Sequence, residues 1–340
     1  MTSASPHNGT NCVRQALTLG TPHKLIIGLT LTLIAGGTVV GNVLAIVSVC
    51  VVQRARRPPN YLLASLAGAD LSVALAVLPF AIATDLTGGE WPFGSVFCDI
   101  FIALDVVCCS ASIMTLCLIS VDRYLRITRP LTYPARQNGR TMAKMIVGVW
   151  IFSASVTLPP LFGWALNVNG NRVCLISQDF GYTVYSTVTA FYLPTAIMLV
   201  MYYKIFRAAQ RSAASLPSPS EEGGSRAPEA RLPCRGAARR AGPLKGEEKA
   251  AATLGTLVGV FTVCWLPFFV QSTARPFICG IDCSCFPLGL ERALLWLGYA
   301  NSLLNPFIYA FFSQDLRSTY KDLLRGRCRK MNRRFLGGGV

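Results

Sequence analysis

The sequence predicts an all-α membrane protein: a seven-transmembrane helix bundle with a short amphipathic eighth helix, N-terminus outside. Three observations carry that prediction. The 340 residues are 52% hydrophobic and only 14% charged. A soluble surface needs about a quarter of its residues charged, so lipid has to cover this chain. Seven apolar runs approach or exceed the ~20 residues a helix needs to cross a bilayer. The basic residues, finally, are divided unequally between the segments that join those runs.

Uncharged apolar runs fall at 25–52, 145–164, 182–203, 250–274 and 293–312, and runs 61–86 and 96–127 carry a few embedded charges. They are too long for strands, and only helices or closed barrels satisfy the backbone in lipid. Seven spans place the two ends on opposite sides. Of the 32 Lys and Arg, five (Arg14, Lys24, Arg172, Arg275 and Arg292) belong to one face; the other 27 lie in or beside the opposite segments or in the tail. Positive residues stay inside, so the N-terminus is outside and the C-terminus cytosolic. The net charge of +16 is therefore a topology and lipid-headgroup signal, and no nucleic acid is implied.

Residues 1–23 form an extracellular segment without the apolar core of a cleavable signal. Asn8-Gly9-Thr10 in it fits the N-glycosylation pattern. The bundle spans 24–313, interrupted by a flexible cytoplasmic loop at 215–246, rich in Pro, Gly, Ser, Ala and Arg. Residues 314–340 form an amphipathic helix (314–324) and a basic tail. The two histidines, His7 and His23, precede the first span, so the bundle has no His-based catalysis or metal site. The thirteen cysteines show no zinc-type pairing. No internal repeat of the kind that builds transporters is visible.

Acids at bilayer depth cost several kcal/mol unless paired or hydrated, which makes each a functional candidate. Asp105, seven residues after Cys98, lies about 10 Å below the outer end of the third span. Asp122 is about 25 Å further along, at the cytosolic end, and Asp70 lies within the second span.

Other marks stand around these acids: Gly41-Asn42, Asp122-Arg123-Tyr124, Trp150, Pro194, Cys264-Trp265-Leu266-Pro267 and Asn305-Pro306-Phe307-Ile308-Tyr309. In this order, one set per helix, they resemble the rhodopsin-like (class A) G-protein-coupled receptors over about residues 24–325, the third cytoplasmic loop excepted. Within that class the chain resembles the monoamine receptors, in which an acid at the place of Asp105 binds the ligand's ammonium. The stretches at 127–139, 174–182, 272–280 and 295–312 are similar to the type-7 serotonin (5-hydroxytryptamine) receptors. The third loop is shorter and richer in Gly, Pro and Arg than in that subtype, and the tail is short.

The resemblance implies a plasma-membrane receptor for serotonin that activates the stimulatory G protein and raises cAMP. It implies arrestin and receptor kinases as further partners, no required cofactor, and Na⁺ as an allosteric ion. Asp105 would hold the ammonium through a charge-assisted hydrogen bond, with Tyr299 holding Asp105; the bland alternative is a structural acid. Ser186 and Thr187 would meet the ring hydroxyl or indole nitrogen, unless they back-bond to their own helix. Ala190, four residues from Ser186 and so on its face, leaves room for an indole. Trp265, Phe268 and Phe269 would form an aromatic box rather than ordinary core, with Val106, Cys109, Ile176 and Phe191 as further walls.

Asp70, Ser112, Asn301 and Asn305 offer oxygens suited to a hard cation, here Na⁺, or to a hydrogen-bonded water network. Asp122, Arg123, Tyr124, Tyr202, Glu247, Pro306 and Tyr309 are implied in G-protein coupling. An Arg123–Glu247 pair would pin the sixth span in an inactive state, where the bland role of Arg123 is positive-inside anchoring. Cys98 and Cys174 share the oxidising outer side and are expected to pair; Cys279 is expected to pair with Cys283 or Cys285. Cys328 is a palmitoylation candidate. The competing functions are a receptor for another biogenic amine (dopamine, octopamine, tyramine or a trace amine) and, further off, an amine transporter or channel. A membrane enzyme lacks its nucleophile–base pair here.

Overall fold

A computed structural model of the chain describes residues 20–51, 60–129, 132–133, 137–164, 166–167, 174–214, 235–280, 286–312, 317–321 and 325. These form seven helical spans. The first is Thr21–Val51, and the second is Asn60–Ala76 continued by Leu78–Leu86. The third is Ser95–Thr128, and the fourth Gly139–Ser155 with the short Leu158–Leu161. The fifth runs from Phe180–Thr187 through a π-turn, Val188–Tyr192, into Leu193–Ala214. Arg235–Cys279 is the sixth and Leu288–Phe312 the seventh. Residues 317–321 are helical, inside the stretch expected as the amphipathic helix. Asn8, Cys283, Cys285, Cys328 and the side chain of Glu247 lie outside the described residues.

Two boundaries differ from the sequence expectation. The first span starts at Thr21, inside the segment assigned to the N-terminus. The sixth starts at Arg235 and takes in 235–246, assigned to a flexible loop. Ala237, Ala238, Arg239, Arg240 and Ala241 there favour helix while Gly236, Gly242, Pro243 and Gly246 oppose it, and extending an existing helix costs far less than nucleating one.

Five helices are long and apolar enough to cross a membrane by length and composition. The third span is central and packs on the second, fourth and fifth; the sixth lies along the seventh, and the first against the second and seventh. Polarity is inverted relative to a soluble protein. Asn42, Asp70, Asn301 and Asn305 are buried, while Leu25, Leu33, Ile151 and Phe307 are exposed, as lipid solvation requires.

Prolines set the irregularities that shape the site. Pro194 has no N–H for the carbonyl of Ala190, and the turn ahead of it widens: Leu193 N–H donates to Val188 O. Pro306 likewise leaves the carbonyl of Ser302 without its helical donor. Asn42 on the first span supplies one, its Nδ2 lying 3.0 Å from Ser302 O. Beside it a Cβ on Gly41 would stand 3.0 Å from Pro306 Cγ, so glycine lets the two spans close at that level.

Candidate functional site

The outer cleft is built around Asp105 on the third span. Tyr299 of the seventh donates its hydroxyl to Asp105 Oδ2 at 3.1 Å. The Cys109 thiol, one turn further down, donates to Oδ1 at 3.3 Å. Among the described residues no lysine or arginine pairs with this carboxylate. Below it the aromatic run closes on itself. Trp265 lies 5.9 Å from Phe268, 5.8 Å from Phe269 and 6.4 Å from Tyr299 between ring centroids. Phe269 stacks on Phe191 at 4.3 Å with 5° between planes. Trp265 rests directly on the seventh span: a Cβ on Gly298 would stand 2.6 Å from its ring. Only glycine fits there.

Val106 and Ile176 belong to an outer cluster with Trp91, Cys98 and Ile102. Cys98 and Cys174 are disulfide-bonded as expected, which ties the second outer loop to the top of the third span. Trp91 Nε1 donates to Gly94 O at 2.8 Å, fixing the turn that opens that span. Cys279 is also disulfide-bonded, to a residue outside the described ones.

On the fifth span the Asp179 carboxylate caps the helix by accepting Tyr182 N–H at 2.9 Å. Ser186 and Thr187 both donate their hydroxyls to Thr183 O, at 3.3 and 2.7 Å. Their protons are spent on the helix, so each presents an acceptor lone pair to a neighbour. The π-turn begins between Ser186 and Ala190, and Ala190 is buried.

At mid-depth Asp70 is fully buried and accepts three hydrogen bonds. Ser112 Oγ and Ser302 Oγ donate to Oδ1 at 2.9 and 2.8 Å, and Asn305 Nδ2 to Oδ2 at 2.8 Å. Ser302, absent from the set read in the sequence, takes the place on the carboxylate expected for Asn301. Asn301 is buried next to the cluster with its Oδ1 unpartnered.

At the inner end three groups hold Asp122. Arg126 Nε donates to its Oδ2 at 3.0 Å, Tyr133 OH to Oδ1 at 3.2 Å, and Gln137 Nε2 to the same oxygen. Tyr133 and Gln137 come from the second inner loop, so this acid fastens that loop to the third span. Arg123 is half-buried beside it, and its expected partnership with Glu247 falls outside the described residues. The Tyr124 ring lies 5.5 Å from Lys204 Nζ. Tyr202 of the fifth span lies against the sixth at Gly255, where a Cβ would stand 2.7 Å from its ring. Tyr309 is buried with its hydroxyl unpartnered.

Comparison with known proteins places this architecture. The family model "7 transmembrane receptor (rhodopsin family)" matches residues 41–309. The chain is 58% identical to the 5-hydroxytryptamine receptor 7 of Xenopus laevis, the match covering 96% of this chain and 82% of that one. It is 37% identical to the 5-hydroxytryptamine receptor 1 of Drosophila melanogaster, over 83% and 60%. The alpha-1D adrenergic receptor of Homo sapiens is also 37% identical, over 87% and 55%. With the family model covering most of its length and all seven spans in place, the chain belongs to the rhodopsin family of seven-transmembrane receptors, a multi-pass membrane receptor and not an enzyme.

Proposed function

We propose that the chain is a plasma-membrane receptor for serotonin that activates the stimulatory G protein and raises cAMP. The observation that carries the ligand class is Asp105. Asp105 is half-buried and has no cationic partner among the described residues, and a primary ammonium compensates its charge with a charge-assisted hydrogen bond. Tyr299 and Cys109 donate to its oxygens from one span and one turn away, which orients the group without neutralising it. The stacked rings of Phe191 and Phe269, with Trp265 and Phe268, suit a flat aromatic amine. Among amines, the 58% relative named for 5-hydroxytryptamine supports serotonin. The N-terminus is outside in this reading, and arrestin and receptor kinases meet the cytosolic face.

A panel of serotonin, dopamine, octopamine, tyramine and trace amines, read by cAMP in transfected cells, tests it. Serotonin should be the most potent and should raise cAMP. Inhibition of cAMP would reject the coupling, and potency led by another amine would reject the ligand.

The acceptor lone pairs of Ser186 and Thr187 suit a ligand that donates, such as the ring hydroxyl of serotonin. Ser186→Ala with Thr187→Val should weaken serotonin about 2- to 13-fold, the worth of one net hydrogen bond, and leave its O-methyl analogue unchanged. Equal losses for the two ligands would place the hydroxyls off the ring.

The group at Asp70 fits Na⁺. Its oxygens come from a carboxylate, two hydroxyls and the unpartnered Oδ1 of Asn301, a hard donor set for a hard cation. Asp70, Ser112, Ser302 and Asn301 would hold the ion, with Asn305 steadying the carboxylate. Agonist affinity should then fall as Na⁺ rises, and Asp70→Asn should abolish that dependence. A sodium effect that survives the substitution would place the ion elsewhere.

A further inference from the structure

Asp85, near the outer end of the second span, is an acid at bilayer depth that belongs neither to the Asp105 cleft nor to the Asp70 cluster. Its side chain is 9% exposed, and both of its oxygens are spent on the seventh span. Oδ1 lies 3.3 Å from Arg292 Nε, and Oδ2 accepts from Trp296 Nε1 at 2.5 Å. Arg292 balances its charge, so an ammonium ligand would have to displace a guanidinium to use this carboxylate. Its use lies in what it holds.

Arg292, Trp296 and Tyr299 follow one another by four and three residues, so they share one face of the seventh span. Asp85 grips two of them, one with each oxygen, and rotation of that helix about its axis would pull both off the carboxylate. The Trp296 ring meets Tyr299 edge-on, with 5.5 Å between centroids and 83° between planes, and both residues are buried. Tyr299 in turn donates to Asp105 Oδ2 at 3.1 Å. Further inward on the second span, Asp70 grips the same helix again through Ser302 and Asn305. Tyr299 therefore stands three residues from a fastened Trp296 on its outer side and three from a fastened Ser302 on its inner side. The first outer loop closes on the same helix: a Cβ on Gly89 would stand 2.7 Å from Leu288 Cδ2.

Resting on the amine-receptor reading above, we propose that Asp85 is a positioning residue for amine recognition. Through Arg292 and Trp296 it fixes the rotation of the seventh span at which the Tyr299 hydroxyl reaches Asp105, and it touches no ligand itself.

The test is a double-substitution cycle on the full chain in membranes, read by competition binding of serotonin with surface labelling in parallel. Tyr299→Phe removes the hydroxyl from Asp105 and should weaken serotonin about tenfold or more, the worth of a hydrogen bond to a charged group. Asp85→Ala should weaken it about threefold or more, but by no more than Tyr299→Phe does. Added to Tyr299→Phe, it should cost less than about twofold further, because the hydroxyl it positions is already gone. Asp85→Asn, which keeps an acceptor for Trp296, should lose less than the alanine variant, and the cycle is run on it if alanine fails to reach the surface. A residue that only stabilises the fold, or one that meets the ligand directly, would cost the same in both backgrounds. Losses that multiply therefore overturn the positioning role, as does full affinity in Asp85→Ala or in Tyr299→Phe. Failure of serotonin to bind the unsubstituted receptor overturns the amine reading and the positioning role with it.

Discussion

Asp105→Asn is expected to reduce amine affinity by about 30- to several-thousand-fold while surface expression is maintained. The range corresponds to the 2–5 kcal/mol typically lost when one member of a buried, hydrogen-bonded charge pair is removed. Asparagine keeps the shape, and its carbonyl oxygen still accepts from Tyr299, now 3.1 Å from Oδ2, so the bundle has no reason to come apart. What disappears is the charge that an ammonium needs. Radioligand binding set against surface labelling separates the two effects. Binding within threefold of the unsubstituted receptor would remove Asp105 from the ligand site.

Gly298→Ala should be nearly as damaging, although it adds one methyl group. That methyl would stand 2.6 Å from the Trp265 ring, well inside van der Waals contact, and the ring has no free side to move to. It is buried and packed among Phe268, Phe269 and Tyr299. Overpacking of this kind costs typically 1–3 kcal/mol, so amine affinity should fall about 5- to 150-fold as the cleft changes shape. The decisive measurement is the double substitution. Trp265→Phe takes away the six-membered part of the indole that Gly298 accommodates, so the pair should bind better than Gly298→Ala alone. Strictly additive losses would show that the two residues do not meet.

How far these features were legible in the sequence depends on what kind of signal each one leaves. Asp105 announced itself: a charge in an apolar run, at a countable depth below Cys98, with Tyr299 as its expected holder. The Cys98–Cys174 bridge was legible for the same reason, since both residues fall on the oxidising face. Ser302 was not, because adjacent residues on a helix point about 100° apart and the sequence does not say which of Asn301 and Ser302 faces Asp70. The π-turn ahead of Pro194 was not legible either, because period counting assumes an unbroken α-helix. The Asp122 clamp escaped because Tyr133 and Gln137 lie in a loop, where no periodicity exists. Gly255 and Gly298 left no signal at all. A glycine that makes room for a ring is recognisable only once the ring has been located.

The bond from Asn42 to the carbonyl of Ser302 has a consequence for reading natural variation. Ser302 accepts from Asn42 through its backbone and donates to Asp70 through its hydroxyl, so a residue on the first span secures the buried acid on the second without touching it. An inherited change at position 42 would be classed as remote from any ligand and scored as benign. Its phenotype should instead copy that of alleles at Asp70. It should also be partly masked wherever Pro306 is replaced by a residue with an N–H of its own, because the seventh span could then serve its own carbonyl.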